Sequence, residues 1–249
     1  MNNTTTDPEP KTGKLTHYEK TQNFNSVTRW LHSFRYRKIV QIFEQLTKEL
    51  NRPIRVFEIG AASGKLYSVL NEQFDIVYSG VELKEDRVQV ANERYGNNDN
   101  FSIVSGMAED HIGSANQFDV VVALETMEHI PENNVVRIVE KIAESRPGMF
   151  VCSVPVEVGP IIWIKNVGSM LMGYHARYKN YKWSETFWSG LYRLDKVRTH
   201  ELAHRGFDWR WLAQTIRYNM NDMEVFSLPF NLLPVALSPT VMFVAKGDK

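Results

Sequence analysis

The sequence VFEIGAASG, residues 56–64, is the most informative segment of the chain. Its first half is an apolar run typical of a buried strand, and its second half is built from small residues. A strand that ends in such a turn and then feeds a helix lets a cofactor lie against bare backbone, because Gly60 and Gly64 carry no side chain. We therefore predict a nucleotide-binding turn between a first strand, residues 55–59, and a helix starting near residue 66.

Strand and helix signals alternate beyond this turn. Four further apolar runs indicate strands, at residues 76–81, 101–104, 118–124 and 149–154. Helical patterns separate them, with breakers such as Gly96 and Pro147-Gly148. This alternation predicts an α/β protein with a parallel, doubly wound sheet. Two late runs, residues 223–228 and 240–246, would complete the sheet with an antiparallel edge.

The flanking regions suggest how the chain is divided. Residues 1–14 are polar and rich in Asn, Thr and Pro, which is typical of a disordered tail. We predict one domain over residues 15–249, in four parts: a helical cap (15–51), a cofactor-binding core (54–155), an aromatic-rich helical insert or lid (156–206), and a last helix, capped by Asp208, with a strand pair (207–249).

Composition excludes some classes of protein. The formal net charge of +0 gives no general electrostatic case for binding nucleic acid. The single cysteine, Cys152, has no partner for an internal disulfide, and no secretory signal opens the chain, so we predict a cytoplasmic location. The longest apolar stretch, residues 158–174, is interrupted by polar residues and glycines and is not expected to span a bilayer.

Spacing and charge select the class of cofactor. Ala62 stands at the middle glycine of a G-x-G-x-x-G pyrophosphate motif, and the spacing of a P-loop is absent. Glu58 would repel a pyrophosphate and attract a sulfonium, each by roughly 3 kcal/mol at about 6 Å and an effective dielectric of 20. Glu82, at the end of the second strand, is placed to accept both ribose hydroxyls of an adenosine. These features predict a cationic adenosyl cofactor.

Four segments in this order resemble motifs of the class I S-adenosylmethionine-dependent methyltransferases. They are EIGAASG at residues 58–64, VEL at 81–83, GMAED at 106–110 and FDVVVALETMEHIP at 118–131. The pattern is most similar to ubiquinone-pathway O-methyltransferases and to methyltransferases of glycan and natural-product pathways. Met107 departs from the acidic residue common in that family, so adenine recognition is expected to rest on backbone amides around Ala108.

The resemblance implies a Rossmann-like, seven-stranded methyltransferase sheet with S-adenosylmethionine as methyl donor. The acceptor it implies is a hydroxyl of a small-molecule, lipid-linked or glycan substrate, and this preference for oxygen rests on the resemblance alone. The cofactor site it implies consists of Glu58, Gly60, Ala61, Ala62, Gly64, Glu82, Leu83, Met107, Ala108, Glu109, Leu124 and Glu125.

His129 and Glu128 are the predicted catalytic residues. Methyl transfer is an in-line displacement in which proximity carries much of the acceleration, and a base helps to deprotonate an acceptor hydroxyl. His129 follows the fourth strand, and imidazole titrates near neutral pH. The i, i+3 and i+4 spacing of Glu125, Glu128 and His129 is expected to place them on one helical face.

That cluster also has two other interpretations. Two carboxylates and an imidazole could hold a divalent cation such as Mg²⁺ or Zn²⁺, which is the less favoured alternative. The glutamates could instead simply favour a helix N-terminus, with His129 packed in a turn.

The insert and the overall function also leave alternatives open. Its many Trp, Tyr and basic residues predict a lid over an amphiphilic or phosphorylated acceptor, an ordinary helical subdomain, or a surface in peripheral contact with a membrane. The rival functions are a non-catalytic scaffold that keeps the fold, and a nicotinamide-dependent oxidoreductase, which Glu58 and Ala62 disfavour.

Overall fold

The computed structural model describes residues 26–113, 117–171, 182–197 and 206–247. Its strands and α-helices, in chain order, are α1 (Ser26–Glu49), β1 (Ile54–Ile59), α2 (Lys65–Asn71), β2 (Ile76–Glu82), α3 (Glu85–Tyr95), β3 (Phe101–Ser105), α4 (Ala108–His111), β4 (Val120–Leu124), α5 (Glu132–Ser145), β5 (Met149–Pro155), α6 (Ile161–Leu171), α7 (Trp183–Gly190), α8 (Trp209–Asn219), β6 (Asn221–Leu228) and β7 (Thr240–Lys246). Short 3₁₀ turns lie at Met127–His129, Leu194–Lys196 and Val235–Leu237.

The described strands form one seven-stranded sheet in the order β3-β2-β1-β4-β5-β7-β6. Strands β1 to β5 are parallel, and β7 pairs antiparallel with both β5 and β6. The predicted α/β sheet is therefore confirmed. One detail differs: the antiparallel strand is β7, second from the edge, and the edge strand β6 runs in the direction of β1 to β5.

Two buried apolar layers cover the two faces of the sheet. On one face, α5 and α8 pack through residues such as Ile138, Ile142 and Leu212. On the other, α1 and α2 contribute Phe43 and Leu70. Every residue of β4 is buried, as expected for a central parallel strand covered on both sides.

A charged clamp joins the start of β1 to the residue before β4. The carboxylate of Asp119 accepts two hydrogen bonds from the Arg52 guanidinium, both at 2.7 Å, and one from the Arg55 backbone N–H at 2.8 Å. The Arg55 guanidinium donates a further bond at 2.9 Å. Bidentate geometry of this kind fixes the relative position of two adjacent central strands.

The ends of several elements follow their predicted signals. The side chain of Asp208 accepts a hydrogen bond from the Arg210 N–H at 3.0 Å and caps α8 as predicted. Gly96 ends α3, but with φ −62° it does not use the left-handed conformation that favours glycine there.

Parts of the predicted tail and insert lie outside the described residues. These are the tail at residues 1–14 and the insert residues Met172, Tyr174, Arg177, Tyr178, Lys179, Tyr181 and Arg198. The described part of the insert contains α6 and α7. None of the helices in the described ranges combines the length and apolar character needed to cross a bilayer.

Candidate active site

A cavity of about 560 Å³ opens where β1, β2, β3 and β4 end. Strand order reverses between β1 and β4, and ligands of open α/β sheets bind in the crevice at such a point. The volume lies in the range of small-molecule sites. Ten of the predicted site residues line the cavity: Gly60, Ala62, Glu82, Leu83, Met107, Ala108, Glu109, Leu124, Glu125 and His129.

The turn after β1 forms one wall. Gly60 has φ +74°, and a Cβ there would collide with the Thr126 side chain on the facing turn. Ala62 also adopts a left-handed conformation, at φ +47°, which explains why glycine would be the easier residue at this position. The Ala62 N–H donates to Glu82 Oε2 at 3.0 Å, and this bond helps to hold the strained turn.

Glu82 is fixed at the end of β2 and faces the cavity. Its Oε1 accepts a hydrogen bond from the Lys84 N–H at 3.0 Å, and Arg87 Nη1 lies 3.6 Å from its Oε2. Each carboxylate oxygen has two acceptor positions, so both oxygens retain capacity for a ligand hydroxyl. The carboxylate is thus preorganised in the place predicted for a ribose contact.

Glu58 has a different role from the one its charge suggested. Its side chain is buried, does not line the cavity, and accepts a hydrogen bond from the Tyr78 hydroxyl. Burial raises the pKa of Glu58 to about 8; the Tyr78 hydrogen bond and Arg35 act in the opposite direction, and Glu82 adds to the rise. The Glu58 carboxyl therefore has a raised pKa and, contrary to what the charge argument from the sequence assumed, does not face a ligand in the cavity.

Glu125 supplies a second carboxylate to the cavity wall. It has φ +50°, and its N–H donates to the Ser153 carbonyl at 2.8 Å. Its Oε1 lies 3.2 Å from Arg35 Nη1, in an ion pair whose arginine side chain is 3% exposed. A left-handed glutamate at a cavity wall is the kind of strain that clusters at functional sites.

Arg35, the buried partner of a residue that lines the cavity, was not predicted from the sequence. It projects from α1, 25 positions before Gly60 and outside every motif. The signal that was available is its position in an apolar stripe, four residues before buried Ile39. A charged residue at such a place requires a buried partner.

Leu83 and Met107 give the cavity two exposed apolar walls, after β2 and β3 respectively. Ala108 follows Met107 as the first residue of α4. The segment predicted to contact adenine thus lies at the cavity wall and presents apolar side chains to it.

The predicted cluster of Glu125, Glu128 and His129 does not share a helical face. Glu125 precedes the 3₁₀ turn that carries the other two, so the expected helical spacing does not apply. His129 is exposed and lines the cavity, while Glu128 is buried and lies outside its lining. Burial raises the pKa of the Cys152 thiol, and the charges of Glu128 and Glu125 act in the same direction, which places Glu128 close to β5.

The described residues contain no group of three or more His, Cys, Asp or Glu side chains that could hold a metal ion. Glu125, Glu128 and His129 therefore do not lie in an arrangement that could bind a divalent cation together.

Two predicted cofactor residues shape the turn without lining the cavity. Ala61 is buried against Gly80 of β2. Gly64 has φ +78° and precedes α2, where a Cβ would lie 3.0 Å from the Tyr95 ring. Residues that line the cavity and were missed by the sequence reasoning include Thr126, Arg87 and Asn134.

A family model described as a methyltransferase domain matches residues 31–216 of the chain. No curated protein matches the sequence. The fold is similar to that of magnesium protoporphyrin IX methyltransferase from Synechocystis PCC 6803 with bound SAH, at 11% identity and a TM-score of 0.56, over 90% of this chain and 88% of that one.

Two further solved structures share the fold. A SAM-dependent methyltransferase from Archaeoglobus fulgidus is 12% identical with a TM-score of 0.53, and the match covers 89% of this chain and 100% of that one. The CurJ carbon methyltransferase is 14% identical with a TM-score of 0.60, over 93% of this chain and 58% of that one.

Proposed function

The chain belongs to the methyltransferase-domain family that its residues 31–216 match, and we propose that it is an S-adenosylmethionine-dependent methyltransferase. The acceptor that we propose is a hydroxyl of a small-molecule, lipid-linked or glycan substrate. The observation that carries the proposal is Glu82, held at the end of β2 by the Ala62 and Lys84 N–H groups and facing the cavity. A fixed carboxylate there is the partner that a ribose diol requires.

The donor fits the residues that surround the cavity. Glu82 would accept the ribose hydroxyls, and Leu83 and Met107 would enclose the adenine from two sides. Glu125 also lines the cavity, where its carboxylate would accept hydrogen bonds from the donor's ammonium group, and the buried Arg35 holds that carboxylate from behind. When bound, the donor supplies a methyl group already activated on a sulfonium.

The chain's own contribution to the chemistry is placement and proton removal. The turn from Gly60 to Gly64 and the facing Thr126 fix one side of the cavity, so that donor and acceptor meet in a defined orientation. His129 lies at the exposed rim, where its imidazole can take the proton from an acceptor hydroxyl. Glu128 precedes His129 in the same 3₁₀ turn but is buried and does not line the cavity, so the proposal assigns proton removal to His129 alone.

A cytoplasmic location is part of the proposal. It is supported by the buried, free thiol of Cys152, which suits a reducing compartment.

His129→Ala tests the assignment of the base. We expect turnover to fall about hundredfold, while the affinity for S-adenosylmethionine stays nearly unchanged. The assay follows labelled methyl from the donor into phenolic, sugar and lipid acceptors, with binding of the donor measured separately by titration calorimetry.

His111→Gln is the matched control, because His111 is exposed on α4 and does not line the cavity. Turnover by His129→Ala at the parent rate would remove His129 from the mechanism. Tight donor binding without transfer to any acceptor would favour the non-catalytic scaffold.

A further inference from the structure

The outer face of α6 is apolar and its inner side carries polar groups. Its exposed side chains are all apolar: Trp163, Ile164, Val167, Met170 and Leu171, the last 81% exposed. Ile161 and Ile162 are buried in its first turn, and the buried side chains beyond them are polar, namely Asn166 and Ser169. Lys165 also turns inward and places its Nζ 2.9 Å from Glu157 Oε1. A helix on a water-facing surface has the opposite arrangement.

Helix α7 repeats this inversion. Trp183, Phe187 and Leu191 recur at helical spacing and are all exposed. Its inner side carries Thr186, whose hydroxyl accepts a hydrogen bond from Asn166 Nδ2 at 2.6 Å, and Ser189, whose hydroxyl donates to the Glu157 carbonyl at 2.7 Å. The two helices are therefore joined by polar contacts inside and present apolar residues outside.

We use the term apolar face for the exposed apolar residues of these two helices together with Leu191, which directly follows α7; they are Trp163, Ile164, Val167, Met170, Leu171, Trp183, Phe187 and Leu191. Large exposed apolar patches mark interaction sites on soluble domains.

The β6–β7 loop adds exposed apolar residues at the same side of the sheet, where the strands β1 to β6 have their carboxyl ends. Phe230 is exposed and Leu232 is 99% exposed. This loop leaves the carboxyl end of β6, and α6 follows the carboxyl end of β5. The Val156 N–H donates to the Pro239 carbonyl at 3.0 Å, which joins the two connections. The cavity opens at this side too, because it lies where parallel strands β1 to β4 end.

The charge of the region indicates what covers the apolar face. By sequence, residues 158–184 contain four basic residues and no acidic one; Lys165 among them is paired with Glu157, and Arg177 and Lys179 lie outside the described residues. Lys182 is exposed at the start of α7, and exposed Lys196 lies 3.8 Å from the centre of the Trp188 ring. Self-association through a two-fold axis would bring this basic region against itself. Tryptophan and lysine together on an apolar surface are typical of membrane interfaces.

We propose that the apolar face docks on the surface of an anionic phospholipid bilayer. Helix α6 has 11 residues and is about 16 Å long, about half the hydrocarbon thickness of a bilayer. It therefore lies in the headgroup region, parallel to the surface, with Lys182 and Lys196 near the lipid phosphates. The proposal does not depend on methyl transfer; if both hold, the cavity opens toward an acceptor presented by the membrane.

Flotation with lipid vesicles tests the proposal directly. Vesicles of phosphatidylcholine containing phosphatidylglycerol should bind the parent protein, more weakly as salt is raised, and vesicles of pure phosphatidylcholine should bind it less. The double variant I164Q/L171Q should bind at least about tenfold more weakly, because two side chains lose their apolar contact with lipid. Both positions are exposed, and glutamine is compatible with a helix.

Tyr218→Gln is the matched control. Tyr218 is 91% exposed near the end of α8, just before β6 begins at the opposite side of the sheet. This variant should bind vesicles as the parent does. Absence of parent binding to the anionic vesicles would overturn the proposal, as would equal binding by the double variant. If the parent does not bind vesicles but forms a dimer that I164Q/L171Q disrupts, the apolar face binds a second copy of the chain instead. Donor affinity, measured on the same samples, confirms folding and separates this result from the proposed catalysis.

Discussion

Glu58→Gln should change how the stability of the ligand-free protein depends on pH. The parent carboxyl is buried beneath the turn after β1 and accepts a hydrogen bond from the Tyr78 hydroxyl. Glutamine keeps an acceptor for that hydroxyl and has nearly the same volume, but it carries no titrating proton. The substitution therefore isolates the ionisation of one buried group.

The magnitude follows from the pKa of Glu58 in the two states. The carboxyl titrates near 4.5 when unfolded, and burial raises its pKa to about 8 in the folded chain. Because the pKa is raised on folding, the neutral carboxyl's contribution to the free energy of unfolding is fully present below pH 4.5 and is lost as pH rises to 8. At about 1.4 kcal/mol for each pH unit, the loss over this window is about 5 kcal/mol.

Urea unfolding at a series of pH values measures this effect. The difference in free energy of unfolding between Glu58→Gln and the parent should move by about 5 kcal/mol in favour of the variant between pH 4.5 and pH 8. Glu72→Gln, at an exposed carboxylate, controls for the loss of one negative charge. A difference that stays constant across this range would refute the burial argument.

Two further predictions concern other buried charges. Burial acts to raise the pKa of Asp119, but hydrogen bonds from Arg52 and Arg55 outweigh burial and lower that pKa. The clamp's contribution to the free energy of unfolding is therefore present above about pH 4 and is lost as pH falls. Because both guanidiniums are partly exposed, Asp119→Asn should lower the free energy of unfolding at pH 7 by only about 2 kcal/mol. The variant should also lose less of its free energy of unfolding than the parent does as pH falls. An equal loss in variant and parent would show that other groups cause the acid sensitivity. Arg35→Met should lower the free energy of unfolding by about 3 kcal/mol, because it leaves Glu125 without the buried guanidinium. Adding Glu125→Gln should recover much of this loss. If the effects of the two single substitutions simply add in a double-mutant cycle, the pair does not interact.

The sheet was predictable because each strand is a continuous apolar run between clear breakers. The limits of β7, residues 240–246, agree with the prediction, and the first five strands agree within two residues. The seven-stranded arrangement then follows from the alternation of strands and helices. The position of β7 inside the sheet was not predictable, because pairing of the last two strands depends on how the β6–β7 loop returns the chain.

The details of the site depend on backbone conformation and burial, which local patterns do not report. The left-handed conformation of Glu125 removes it from the helix that its spacing to His129 suggested. The raised pKa of Glu58 arises from burial, against the opposing effect of a hydrogen bond from Tyr78, twenty positions along the chain. Motif spacing predicted both Glu58 and Glu82 as cofactor contacts, but it could not distinguish the carboxylate that lines the cavity, Glu82, from the one that is buried, Glu58.

Titration calorimetry with S-adenosylmethionine measures whether Glu82 holds the donor. Glu82→Gln keeps the size of the side chain but replaces one of its two acceptor oxygens with a donor. We predict that the parent binds the donor and that Glu82→Gln binds about hundredfold more weakly, the loss expected when charged hydrogen bonds to the ribose are removed. Equal affinity in a folded Glu82→Gln variant, or a parent that binds NAD in preference to S-adenosylmethionine, would contradict the account.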